Sequence, residues 1–197
     1  AWPEGTDLVD LRHYRHYADV VPRFCSEFGL QGLPYKKTLL PYLSKSDFKL
    51  DSPAMFFRDK VQQPEGKPLH AHKWFLAPIT GWAKDYDDFE LKTQLAQARG
   101  LEFGIAHYRR HLWHCSGALI WQLNDCWPGF SWSLLDYDLL PKPAYFAVKR
   151  AFAPRMLSIA RKDDRYQLWA VNTSGEVWKA AVRISVQTFD GKVLGQG

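Results

Sequence analysis

Val21-Pro22-Arg23-Phe24-Cys25-Ser26-Glu27-Phe28-Gly29 reads as a short strand that stops at Gly29, with the turn-rich Gly32-Leu33-Pro34 close behind. Strand alternation puts Cys25 and Glu27 on one face and Phe24, Ser26 and Phe28 on the other. Downstream, Ala118-Leu119-Ile120-Trp121-Gln122-Leu123 is a mostly apolar run, as in strands covered on both faces. It breaks off in Asn124-Asp125-Cys126-Trp127-Pro128-Gly129.

A long helix is expected between these strands. Asp87 with Glu90 three residues on resembles a capping box. Leu91, Leu95, Ala98, Leu101, Ile105, Tyr108 and Leu112 recur at gaps of three and four, which predicts one apolar stripe. Gly100 and Gly104 share another face and are expected to allow close packing despite their helix-propensity cost. Ser116-Gly117 ends the helix, and a shorter one is predicted over 142–152, closed by Ala153-Pro154. Strand–helix–strand–helix order implies parallel strands with crossover helices. Two such units neither close a barrel nor bury an open sheet, so further neighbours are expected upstream. The stretch from about 30 to 85 is irregular, with a short helix expected near 38–44. Loops this long are usually functional or hold small elements of their own.

After Pro154 the texture changes. Short strands are expected over 156–162, 166–172 and 178–189, and Asp190-Gly191 is a two-residue hairpin signal leading into Lys192-Val193-Leu194. This pattern suits the opening half of a β-sandwich. The expected division is therefore α/β over 1–153 and all-β over 154–197.

Composition narrows the function. The chain has 197 residues, 46% hydrophobic and 24% charged, enough to bury a core. No apolar run approaches the roughly 18 residues of a membrane span, so no membrane partner is expected. The net charge of +5 is scattered among acids without a like-charge run, so no nucleic acid is expected either. Three cysteines without CxxC spacing point to buried free thiols. The opening Ala1-Trp2-Pro3-Glu4-Gly5 shows no signal peptide, which favours a cytoplasmic location, although so abrupt a start also suits a piece of something longer. Nine Trp, nine Tyr and twelve Phe suit either stacking on sugar rings or a plain aromatic core.

A carboxylate near the end of a parallel strand is costly unless paired or used. Strand C-termini face the active site in a (β/α) barrel, so Glu27 and the segment after Leu123 would converge on one mouth. The alternative for Glu27 is a structural ion pair with a neighbour such as Arg23. His107 and His111 stand i, i+4, but Tyr108 and Arg109 break the HExxH pattern and no third ligand is apparent. His13/His16 and His70/His72 are equally unsupported, and no metal is expected.

Arg23-Phe24-Cys25-Ser26-Glu27-Phe28-Gly29-Leu30-Gln31 resembles the nucleophile motif of the family 2 glycoside hydrolases. Gly117 through Pro128 is similar to the last barrel strand of the β-mannosidase branch, and Asp51-Ser52-Pro53, His107-Tyr108-Arg109-Arg110 and Lys142-Pro143-Ala144-Tyr145-Phe146 match that branch too. The resemblance covers about residues 20 to 154. It implies the C-terminal portion of a (β/α)8 TIM barrel followed by an incomplete immunoglobulin-like β-sandwich. The implied activity is that of a retaining exo-β-mannosidase acting on oligosaccharides with terminal β-linked mannose, without a cofactor. Glu27 would be the nucleophile and Trp121 the floor under the sugar, with a barrel-core aromatic as the other reading of Trp121. Asn124, Asp125 and Trp127 would bind hydroxyls or shape the mouth, with turn structure as the other reading. The family's acid/base is the Glu of an Asn-Glu pair, and no such pair occurs in the sequence. The partner carboxyl is thus expected from a missing N-terminal part of the same polypeptide. A related exo-β-glucosaminidase, β-galactosidase or β-glucuronidase stays open, as does a non-catalytic carbohydrate-binding or structural module.

Overall fold

The computed structural model describes residues 13–50, 52–59 and 79–197. The readings that fall on Ala1 to Gly5, Asp51 and His70/His72 lie outside the described residues. Strand β1 (Cys25–Phe28) pairs in parallel with β2 (Ala118–Ile120). Between them run the short helices α1 (Lys36–Leu39) and α2 (Pro53–Arg58) and the long helix α3 (Tyr86–Arg110). Helix α4 (Pro143–Ala151) follows β2, completing the expected strand–helix–strand–helix order. Helix α1 begins earlier than expected and stops at Leu39, where a turn takes over.

The start of α3 differs from the capping box expected at Asp87. Asp85, in extended backbone, is the N-cap, and its carboxylate accepts the Asp88 N–H at 2.8 Å. Glu90 is thereby freed to accept the Lys36 N–H at 2.7 Å, which holds α1 against α3. The apolar stripe is also only half correct. Leu101, Ile105 and Tyr108 are buried, but Leu91 and Leu95 are exposed. The N-terminal half of α3 instead buries Thr93, Gln94 and Gln97, because this face meets loop backbone that needs hydrogen bonds rather than apolar cover. Gly100 and Gly104 do permit close approach: a Cβ at Gly104 would lie 2.8 Å from the Phe28 ring and one at Gly100 2.7 Å from Leu30.

The main apolar cluster joins Phe28 and Leu30 to Leu101, Ile105 and Tyr108 of α3 and to Ala144 and Val148 of α4. A second cluster, around Leu33, Leu39, Met55 and Phe89, holds α1 and α2 against the start of α3. Arg109 fastens the C-terminal segment to these layers. Its guanidinium donates to the carbonyls of Ala151 (2.5 Å), Ala153 (2.7 Å) and Pro154 (3.3 Å).

Beyond Pro154, β3 (Arg155–Lys162) and β4 (Arg165–Asn172) form an antiparallel hairpin in continuous register, with Asp163 at φ 54° in the turn. Strands β5 (Ser185–Gln187) and β6 (Val193–Gln196) form a second antiparallel pair. The expected strand over 178–189 is realised only in β5, since the stretch before Ile184 has no ladder partner among the described residues. Thr188 pairs with Lys192, so this loop has three residues rather than two, with Gly191 at φ 90°.

Candidate active site

Cys25 pairs with Ala118 and Phe28 with Ile120, three steps along β1 against two along β2. Strand β1 therefore carries an extra residue, a β-bulge, across Ser26 and Glu27. Simple alternation fails here. Cys25 and Phe28 both pack on the core that α3 covers, while Ser26 and Glu27 are exposed, so Glu27 does not share the face of Cys25. Bulges commonly re-aim a side chain beside a site.

Trp121 follows β2 directly and is half exposed. Its backbone N–H donates to the Phe28 carbonyl at 2.9 Å, so Trp121 stands at the same end of the parallel pair as Glu27. The strands approach closely there: a Cβ at Gly29 would run into the Trp121 carbonyl and lie 3.0 Å from the Trp132 ring. Glycine is required at 29 for that reason. Tyr17 accompanies the turn, its hydroxyl donating to the Gly29 carbonyl at 2.7 Å.

Burial raises the Cys25 pKa, only partly opposed by a hydrogen bond from the Tyr108 hydroxyl. Burial likewise raises the phenols of Tyr17 and Tyr108, with Cys25 adding to both. At neutral pH these groups stay protonated, and Glu27 is the one residue of β1 that bears a carboxyl group. Among the described residues neither Glu27 nor Arg23 enters an ion pair.

The residues after Trp121 take distinct positions. Asn124 is exposed, with its amide donating to the Asp125 carbonyl at 3.2 Å. Asp125 is buried; its carboxylate accepts the hydroxyls of Ser131 and of Ser133, the latter at 2.7 Å. Burial raises its pKa, opposed by those two hydrogen bonds and by Lys142. This geometry makes Asp125 a holder of the loop rather than a group facing solvent. Trp127 is half-buried under the Arg58 guanidinium, 4.9 Å from its ring centroid, and meets Phe57 edge-on at 6.0 Å. Cys126 is exposed, unlike the buried thiol expected, because the turn after Asp125 faces outward.

No protein-family model matches the chain. It is 33% identical over 178 residues to β-mannosidase B of Emericella nidulans, covering 81% of this chain and 20% of that protein. Its fold matches the crystal structure of the β-D-mannosidase from Dictyoglomus thermophilum with a TM-score of 0.81 and 29% identity, over 93% of this chain and 24% of that one. The chain is a relative of the β-mannosidases. It spans about a fifth of the length of the curated relatives it matches. The exo-chitosanase of Amycolatopsis orientalis shares the fold at a TM-score of 0.58 and 22% identity, over 82% of this chain and 19% of that one.

The relationship agrees with the motifs around Glu27 and Trp121. The histidines have other engagements: His107 Nε2 lies 3.1 Å from the Val20 carbonyl and His111 Nδ1 2.9 Å from the His107 carbonyl. His13 accepts the Arg15 N–H at 3.1 Å, and His16 pairs with Asp19 at 2.5 Å. Among the described residues no three His, Cys, Asp or Glu side chains cluster as a metal site. A cavity of about 180 Å³ between Tyr108, Cys115, Ala118 and Phe152 lies at the opposite, N-terminal end of β2 and has no part in the site.

Sequence reasoning missed the polar face of α3. Thr93 accepts the Leu33 N–H at 3.2 Å and Gln94 donates to the Leu33 carbonyl at 3.1 Å. Gln97 donates to the carbonyls of Trp132 and Ser133, both at 3.0 Å. One helix thus holds the loops that leave both strands. The signal was present in Thr93-Gln94 and Gln97, polar residues one turn apart on the face that also carries Gly100 and Gly104.

Proposed function

We propose that this chain carries the nucleophile half of a retaining exo-β-mannosidase. Residues 1–153 would be the C-terminal part of a (β/α)8 barrel and 154–197 the start of an immunoglobulin-like β-sandwich. The observation that carries this reading is the juxtaposition of exposed Glu27, on its bulge, with Trp121 at the same end of the parallel pair. Active sites of such barrels lie at the strand C-termini. The similarity to β-mannosidases, whose names give the substrate class, supports it.

In the first step the Glu27 carboxylate attacks the anomeric carbon of a terminal β-mannoside. A C–O bond forms to Glu27 as the glycosidic C–O bond breaks, and the departing oxygen takes a proton from a second carboxylic acid. That acid belongs to a segment outside these 197 residues, since no Asn-Glu pair occurs here. In the second step the same group, now a base, takes a proton from water as the water displaces Glu27. The two carboxyls must lie about 5–5.5 Å apart, too close for a water to attack directly between them. Trp121 offers a flat apolar face to the sugar C–H groups. Asn124 offers its amide to a hydroxyl, Trp127 shapes the rim, and Asp125 holds the loop that bears them.

The test uses the full-length enzyme. A 2-deoxy-2-fluoro mannoside with a good leaving group should trap a glycosyl-enzyme, and mass spectrometry should place the label on the peptide from Phe24 to Lys36. Glu27→Gln should lower hydrolysis of an activated β-mannoside by several orders of magnitude, about 10⁴-fold or more. A label on another carboxylate, or near-normal turnover in Glu27→Gln, would overturn the assignment.

A further inference from the structure

Lys142 is fully buried, and its ammonium donates to the Gly32 carbonyl at 2.9 Å. Gly32 lies in the loop that follows Glu27 and β1, whereas Lys142 lies beyond the loop that follows β2 and Trp121. Two buried carboxylates, Asp125 and Asp136, act on its charge. Each also ties the loops together. Asp125 accepts the hydroxyls of Ser131 and Ser133, and the Ser131 carbonyl accepts the Gly32 N–H at 3.0 Å. Asp136 accepts the Tyr35 N–H at 3.3 Å and the Thr38 hydroxyl at 2.7 Å, both on the Glu27 side.

Stability alone does not account for this arrangement. Taking an ammonium and two carboxylates out of water costs more than their attraction reliably returns, and apolar side chains of similar size often serve stability as well. What such a cluster supplies is a unique geometry, because each charge is satisfied only when its partners are in register. Here the register that is fixed is that of two strand-end loops.

We propose that Lys142 is a positioning residue of the glycosidase site: its ammonium, bonded to Gly32, pins the loop leaving Glu27 against the loop leaving Trp121. The proposal rests on the reading of Glu27 as nucleophile. Lys142 also occupies the N-cap of α4, but it does so with its backbone and makes no side-chain cap there. Lys142→Met therefore removes the ammonium while leaving the start of α4 intact. A displacement of about 1 Å between nucleophile and sugar is enough to cost on the order of 100-fold in rate.

The experiment compares full-length wild type, Lys142→Met and Ser133→Ala, which removes one hydrogen bond from Asp125. Steady-state kinetics on an activated β-mannoside are read with the rate of fluoromannoside trapping at Glu27, on protein shown to be folded by circular dichroism. Lys142→Met should lower kcat and the trapping rate about 10- to 100-fold with KM within about threefold, since the contact acts on the reacting geometry. Ser133→Ala should lower kcat about threefold or more in the same pattern. A folded Lys142→Met with wild-type kcat and trapping overturns the proposal. If Lys142→Met does not fold, wild-type kcat in Ser133→Ala overturns it instead. A wild type that hydrolyses the mannoside but is not labelled at Glu27 refutes the nucleophile reading itself, a result separate from either variant's rate.

Discussion

The backbone N–H of Trp121 donates to the carbonyl oxygen of Phe28 at 2.9 Å, the residue next to Glu27. This hydrogen bond continues the parallel ladder one step past β2, so the aromatic ring and the carboxylate are fixed by one piece of backbone. Trp121→Ala in the full-length enzyme should therefore lower kcat/KM for a β-mannoside about 10- to 100-fold, the equivalent of losing one aromatic face from a ligand site. Trp121→Phe, which keeps a smaller face, should lose much less. Unchanged steady-state constants in Trp121→Ala would remove the ring from the sugar site.

The buried ammonium of Lys142 gives a pH dependence of known sign. Burial lowers its pKa to about 8, although Asp125 and Asp136 pull the other way. The unfolded chain, with an ordinary lysine, binds the proton more tightly, so stability rises with pH between about 8 and the unfolded value near 10.4. Relative to Lys142→Met, the wild type should gain about 1–3 kcal/mol between pH 7.5 and 10.5 in denaturant unfolding. A flat or falling difference would show that the ammonium is not desolvated as described.

Arg109 bonds three carbonyls at the α4–β3 junction, where no other side chain satisfies Ala151 or Ala153 among the described residues. Arg109→Met keeps much of the stem but takes the donor from the carbonyls of buried Ala151 and half-buried Ala153, at about 1–3 kcal/mol, while the Pro154 carbonyl still accepts the Thr173 N–H at 2.9 Å. Arg109→Lys should recover only part of this, since one ammonium cannot span the geometry of a planar fork. Urea midpoints of the two variants would check the order; equal stability of Lys and Arg would contradict it.

Gly104 faces the ring of Phe28, which is buried and held edge-on by Tyr17 at 5.3 Å and Tyr108 at 5.3 Å. The ring has nowhere to go. Gly104→Ala should destabilise by about 1–3 kcal/mol through overpacking, even though alanine favours the helix by about 1 kcal/mol. It should also slow turnover, because Phe28 adjoins Glu27. A more stable Gly104→Ala, measured by thermal unfolding, would show that the contact yields.

The sequence by itself determined the order of elements, the two parallel strands, the helices between and after them, and the presence of short strands beyond Pro154. These follow from periodicity, from breakers such as Ser116-Gly117 and from turn residues such as Asp190-Gly191, all of which act over a few positions. The motifs that carry the proposal for Glu27 and Trp121 are continuous in the chain and can be read there. Tertiary structure alone decided which polar residues are inside. Lys142 meets Gly32 across 110 positions and Asp136 meets Thr38 across 98, and neither partner marks the other in sequence. The same reason explains why Leu91 and Leu95 lie outside while Gln94 and Gln97 lie inside. The helix covers loop backbone there, and unpaired carbonyls and N–H groups demand hydrogen bonds before apolar contact. The bulge at Ser26 and Glu27 belongs to the same class: it exists only as a mismatch of register with β2, a strand that follows α3 in the chain.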